Sequence, residues 1–152
     1  ALPILTSKEL FNKTKVWMVE FFHDAKAAIE IEDMENGMLL GKGVMQYKST
    51  VFMGSSGNSG TVTYSIKIEF KDGRFRYEIK NFYHTSSNPN VNFQGFGLIN
   101  PSKEEFANTA PGPKSWRRKI WDEITIQIDS NVKATIENLI GFVKTPVTHD
   151  KW

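Results

Sequence analysis

The stretch YSIKIEFKDGRFRYEIKNF, residues 64–82, decides how this chain is read. Two runs in which apolar and polar residues alternate flank Asp72-Gly73. A period of two marks a strand with one covered face, and a two-residue Asp-Gly connection is among the strongest hairpin signals. The turn sets an expected register: Lys71 opposite Arg74, Phe70 opposite Phe75, Glu69 opposite Arg76, Ile68 opposite Tyr77, Lys67 opposite Glu78 and Ile66 opposite Ile79. One face then carries Val62, Tyr64, Ile66, Ile68, Phe70, Phe75, Tyr77 and Ile79. The other carries Thr63, Ser65, Lys67, Glu69, Arg76, Glu78 and Lys80.

Upstream, the period is again two from Lys26. Ala27, Ile29 and Ile31 alternate with Ala28, Glu30 and Glu32, and Asp33–Gly37 turns the chain into a return strand from Met38 to Tyr47. Gly41 and Gly43 share a face of that strand, which points to a bulge or to the close approach of a helix. GSSGNSG, residues 54–60, reads as a flexible connection without an apolar anchor. Before the strands, Thr6 or Ser7 caps a helix that runs to about Phe22. Leu10, Phe11, Thr14, Trp17, Met18, Phe21 and Phe22 fall on one side of it at the 3.6-residue period. Ala1–Leu5 (ALPIL), with Pro3 inside, reads as an edge strand or an arm.

Downstream, residues 86–113 form a long loop rich in Asn, Ser, Gly and Pro, of a length that is uncommon without a function. From Lys114 a helical stripe resumes: Trp116, Ile120, Ile124, Ile128, Val132, Ile136, Leu139, Ile140 and Val143. Ile124, Ile126 and Ile128 also alternate, so a strand followed by a helix capped at Ser130 competes with one long helix. The stripe continues on both sides, which favours the single helix.

The order is therefore strand or arm, helix, four antiparallel strands, helix. A sheet with one apolar face and two amphipathic helices packs economically with both helices on that face. The expected architecture is α+β, a single domain over residues 1–152 with its core at about 6–145. Eleven Phe and four Trp within a 39% apolar composition suffice for a core without metal or disulfide.

The amphipathic helix ending near Phe22, AKAAIEIED leading into NGMLLGKG, and the KDGRFRYEI hairpin together resemble a bacterial, Bacteroidetes-type family of domains of unknown function with a TATA-binding-protein-like fold. The resemblance covers about Ser7–Thr85; the loop after Ser86 and the last helix carry no motif of it. It implies a secreted or periplasmic protein of gut-type bacteria, made with a leader. It brings no catalytic residue. By analogy with TATA-binding-like modules that act as paired halves, it implies a homodimer through an edge strand or the long helix.

Chemistry-bearing motifs are few. Nineteen basic against seventeen acidic residues give a formal charge of +2, which creates no general attraction to nucleic acid. Minor-groove readers need apolar wedges and an excess of cationic and amide side chains on the sheet. Here Glu69 faces Arg76 and Lys67 faces Glu78, so nucleic-acid binding is not expected. The absence of cysteine removes disulfides and thiolate chemistry. No apolar run approaches the ~20 residues of a spanning helix. Lys42, between Gly41 and Gly43, lies in a strand pattern and lacks the frame of a phosphate loop.

His23, His84 and His149 have no ligand spacing, so neither a metal nor another cofactor is expected. No serine sits in a nucleophile elbow. Lys114, Arg117, Arg118 and Lys119 form a basic cluster beside Trp116 and Trp121, which reads first as the wet side of a helix. In the loop, Phe93, Phe96, Leu98 and Ile99 are either anchors or a partner surface.

The sequence thus favours a non-enzymatic interaction or binding domain with an unknown protein or small ligand. Its candidate surface comprises Phe93, Phe96, Leu98, Ile99, Trp116, Arg117 and Arg118. The alternative is a carrier holding an apolar small molecule in a cavity between sheet and helices.

Overall fold

The computed structural model describes residues 4–22, 28–51, 55–88, 95–100 and 113–145. Its elements are α1 (Ser7–Phe22), β1 (Ile29–Asp33), β2 (Met38–Tyr47), a one-turn α2 (Ser55–Asn58), β3 (Gly60–Lys71), β4 (Arg74–Ser86), β5 (Gly97–Leu98) and α3 (Lys114–Lys144). The strands form one sheet in the order β1-β2-β3-β4-β5. This is an α+β, TATA-binding-protein-like architecture, with the two long helices on one face of the sheet.

Among the described residues the sheet has five strands rather than four, and the fifth comes from the long loop. Ile4 and Leu5 are not in a strand, and Ala1–Pro3 lie outside the described residues. The Leu5 carbonyl instead accepts the N–H of Gly73 at 2.7 Å, which ties the lead-in of α1 to the hairpin turn.

The chain divides into two compact units: Ala1–Gly41 with Ile66–Glu78 and Lys133–Trp152, and Lys42–Ser65 with Ile79–Val132. In the first, Thr6 is the cap of α1. Its N–H donates to Glu9 Oε2 (2.7 Å) while its hydroxyl oxygen accepts the Glu9 N–H (3.2 Å), a reciprocal capping box. The inward stripe of α1 is buried from Leu10 to Met18, with Phe21 and Phe22 half-buried at its end, and Phe11 meets Phe70 of β3 edge-on at 5.7 Å. The Trp17 indole donates to Asn138 Oδ1 (2.7 Å). Lys13 donates to the carbonyls of Val143 (2.8 Å) and Thr145, where a cation suits the C-terminal end of α3.

β1 departs from its expected alternation. A register shift between Ile29 and Ile31 opposes Ile29 to Gly41 and Ile31 to Leu40. The extra residue turns Ile31 outward, and Ala28 is the side chain that becomes buried. A Cβ at Gly41 would meet the Ala28 carbonyl and Met18 of α1, so a helix does approach there.

In the second unit, a Cβ at Gly43 would meet the ring of Tyr64, so the neighbour is a tyrosine of the adjacent strand rather than a helix. The described part of the glycine-serine stretch, residues 55–60, is anchored by hydrogen bonds where apolar side chains are lacking. Ser49 N–H donates to Ser59 Oγ (3.0 Å), Ser86 Oγ donates to the Gly57 carbonyl (2.6 Å), and Asn58 is buried. Residues 124–128 are helical: Ile124 and Ile128 point inward and Ile126 outward.

β3 shows the expected period without interruption, with alternate residues from Gly60 to Phe70 buried. Ile66 and Ile68 are fully buried, whereas Lys67 and Glu69 keep about a third of their side-chain surface in solvent and pair with each other at 3.3 Å.

Candidate functional site

A cleft of about 400 Å³ opens at the tip of the hairpin, lined by Asn36, Glu69, Phe70, Lys71, Arg74, Phe75 and Arg76. Hydrogen bonds from residues close and distant in sequence hold its walls. Phe70 N–H donates to the Gly37 carbonyl (2.8 Å), and Ser7 Oγ donates to the Phe70 carbonyl (3.3 Å). Asp72 Oδ1 accepts the N–H of Ser7 at 2.7 Å, so the turn is fastened to the start of α1. On the opposite turn, Asn36 donates its N–H and its side-chain amide to Asp33 (3.0 and 2.7 Å), which holds that carboxyl below its usual range.

Phe70 and Phe75 approach with ring centroids 6.5 Å apart and give the cleft an apolar component. Glu69 accepts from Arg76 Nε at 2.6 Å and pairs with Lys67 at 3.3 Å. The Arg76 bond is the main cause of a carboxyl pKa below the ordinary value, so Glu69 stays ionised and is a poor general base. Lys71 and Arg74 make no side-chain hydrogen bond or ion pair among the described residues. Three cations against one committed carboxylate leave the rim of the cleft positive.

The sequence-predicted surface is distributed differently. Phe93 lies outside the described residues, as do His23 and His149. Phe96 is half-buried and stacks on His84 with centroids 5.0 Å apart. Leu98 stands directly opposite Tyr83, both exposed, while Ile99 is buried and donates its N–H to the Phe82 carbonyl at 2.8 Å. Trp116 and Arg117 are half-buried in the first turn of α3, and Arg118 is exposed and bonded to Asp122 at 3.2 Å.

Two polar features escaped the sequence reading, both in the second unit. Glu123 accepts the Tyr47 hydroxyl (2.6 Å), the Thr50 N–H (2.8 Å) and the Thr50 hydroxyl. Burial works to raise its pKa, but these donors outweigh it and leave the carboxyl below its usual range. Tyr47 is pushed the other way, first by burial and then by the bond to Glu123. One turn along α3, Gln127 donates to the Lys48 carbonyl at 2.9 Å, so the helix grips the end of β2 with two polar side chains.

The other is His84, fully buried, accepting the Phe96 N–H at Nδ1 (3.0 Å). The sequence signal for it was Asn81, an amide residue inside a strand that takes φ 60°. Asn tolerates the left-handed region that strand residues otherwise avoid, and it can carry a shift in alternation. Among the described residues no group of His, Asp and Glu is placed to hold a metal, and no helix is long and apolar enough to cross a membrane.

Residues 1–85 match a domain family described as a domain of unknown function (DUF4468) with TBP-like fold. Two solved structures share the fold. One is a TBP-like protein from Parabacteroides distasonis, 10% identical, with a TM-score of 0.57 over 89% of this chain and 85% of that one. The other is a DUF4468 family protein from Bacteroides ovatus, 14% identical, with a TM-score of 0.57 over 95% of this chain and 82% of that one. No curated protein matches.

Proposed function

The chain belongs to the DUF4468 family of domains of unknown function with a TBP-like fold, and from that premise and the hairpin cleft we propose that it is a non-enzymatic binding module for an acidic, partly apolar ligand. The observation that carries this reading is the pair Lys71 and Arg74, without anionic partners among the described residues, at a cleft shared with Phe70 and Phe75. The carrier alternative needs a cavity between sheet and helices. This cleft lies at the hairpin tip, and its positive rim favours an anion over a neutral apolar guest.

A peptide of alternating Glu and Phe, titrated against the labelled chain, is expected to shift the backbone resonances of residues 69–76. The effect should weaken with salt, because the two cations are exposed and screened. It should vanish in the double variant Lys71→Glu/Arg74→Glu. Equal shifts with a Lys-Phe peptide, or none with either, reject the reading.

The module is further proposed to work outside the cytoplasm, as the family resemblance implied; recovery from the cytosol of the source bacterium after fractionation would count against this. Self-association by antiparallel pairing of β1 would set Glu30, Glu32 and Asp33 of two copies against one another. That leaves α3 as the better surface for the homodimer expected from the sequence.

A further inference from the structure

We propose that His84 is an acid-released latch for the outermost strand: when its ring takes up a proton, residues 95–100 let go of β4 and uncover the β4 edge from Phe82 to His84. The starting point is the tautomer. Nδ1 accepts the Phe96 N–H at 3.0 Å, so it carries a lone pair and the single ring proton sits on Nε2. Nε2 is buried and makes no well-formed hydrogen bond; the backbone of Asn58 lies near it and only partly favours a charged ring. Protonation would place an N–H on Nδ1 facing the N–H of Phe96, donor against donor, and a positive charge in a site closed to water.

Among the described residues the one group that favours a charged ring is the backbone of Asn58, and burial outweighs it. From β2 comes the Tyr47 ring, edge-on with centroids 5.4 Å apart. From the β5 segment comes Phe96, stacked at 5.0 Å. From α2 comes Asn58, whose buried side-chain amide nitrogen is itself unpartnered and is a donor, not an acceptor. The carboxylate reached through this packing is Glu123, behind the Tyr47 hydroxyl, and it is already committed to Tyr47 and Thr50. Burial accordingly drives the imidazole down to about 4, with only the Asn58 backbone acting in the opposite direction.

Relief is cheapest on the side of β5. That strand is two residues long, paired as Tyr83 with Leu98 and His84 with Gly97, and is extended by the Ile99 N–H to the Phe82 carbonyl. The Tyr47 side, by contrast, is fixed by Glu123 and the grip of α3 on β2. Because the folded-state pKa is depressed, the latch is fully closed above the ordinary histidine value of about 6.5. It opens as pH falls through the folded value. An opened latch leaves unpaired N–H and C=O groups along β4, the usual template for strand pairing.

The test is amide hydrogen exchange of the whole chain between pH 7.5 and 4, followed by NMR and corrected for intrinsic rates. Protection of the Phe96 and Ile99 amides is expected to fall at least tenfold, in step with the titration of the His84 ring, while the Ile66 and Ile68 amides of β3 keep theirs. His84→Asn, whose side-chain oxygen takes the place of Nδ1 and does not titrate, should hold both amides protected at acid pH. Unchanged protection while the ring is seen to charge would overturn the latch. So would loss of protection at all amides together, or the same acid release in His84→Asn. If that variant does not fold, the coincidence of ring titration and amide release in the unaltered chain decides alone.

Discussion

The two halves of β4 share one strand and one style of sequence, yet they behave differently on either side of Asn81. From Arg74 to Lys80 the half-buried residues are Phe75 and Ile79, at odd positions, and Tyr77 between them is about half exposed. From Phe82 onward the inward positions are even: Phe82, His84 and Ser86. The φ of 60° at Asn81 stands where the alternation changes. Coverage differs as well, since β5 pairs only with Tyr83 and His84 and leaves the outer side of Arg74–Lys80 without a described strand. Alternation thus states which residues share a face, but burial depends on whether that stretch of sheet has a neighbour.

Substitutions on the two strands should differ accordingly. The largest effect is expected at Ile66→Ala on β3, which should cost about 2–5 kcal/mol in denaturant unfolding because a fully buried side chain leaves a cavity. Tyr77→Ala on the margin of β4 should cost well under half of that. Equal losses would mean that β4 is as covered as β3.

Next comes pH. Burial holds His84 near 4 in the folded chain against about 6.5 unfolded, so its contribution is complete above pH 6.5 and is lost as pH falls toward 4. The full loss is on the order of 3 kcal/mol, converting that difference at 1.36 kcal/mol per unit. Glu123, lowered in the folded state, loses its contribution at still lower pH, as pH falls below the ordinary carboxylate value of about 4.3. A flat stability curve from pH 7 to 4.5 contradicts the neutral, buried histidine.

Asn81→Val should destabilise by roughly 1–2 kcal/mol, since a β-branched residue is strained at positive φ, while Asn81→Gly should be nearly neutral. A harmless Val would show that the face change does not depend on this backbone conformation. The smallest effect is expected at Arg76→Ala. Its partner Glu69 lies on the wet face and retains Lys67, so no shift in the unfolding midpoint should be resolved.

The same contrast explains what the sequence disclosed. α1, β2, the Asp72-Gly73 hairpin and α3 were legible because each combines a sustained period with a cap or turn residue that agrees with it. β1 and β5 were not. The shift between Ile29 and Ile31 moves burial to Ala28, an effect that alternation alone misassigns. β5 is two residues long and exists through what it docks on, not through its own pattern. The cleft was half legible: the turn residues and charges were plain, but its second wall, Asn36, comes from another turn. The loop residues Phe96 and Ile99 proved to pack toward β4, while Leu98 alone of the three is exposed.

Titrating the ring nitrogens of His84 by long-range ¹⁵N–¹H NMR examines the central claim, that a neutral histidine behind Asn81 holds the sheet's last strand. Nδ1 is expected to be bare and Nε2 protonated at neutral pH, with a midpoint near 4. The reverse tautomer, or a midpoint near 6.5, would contradict it.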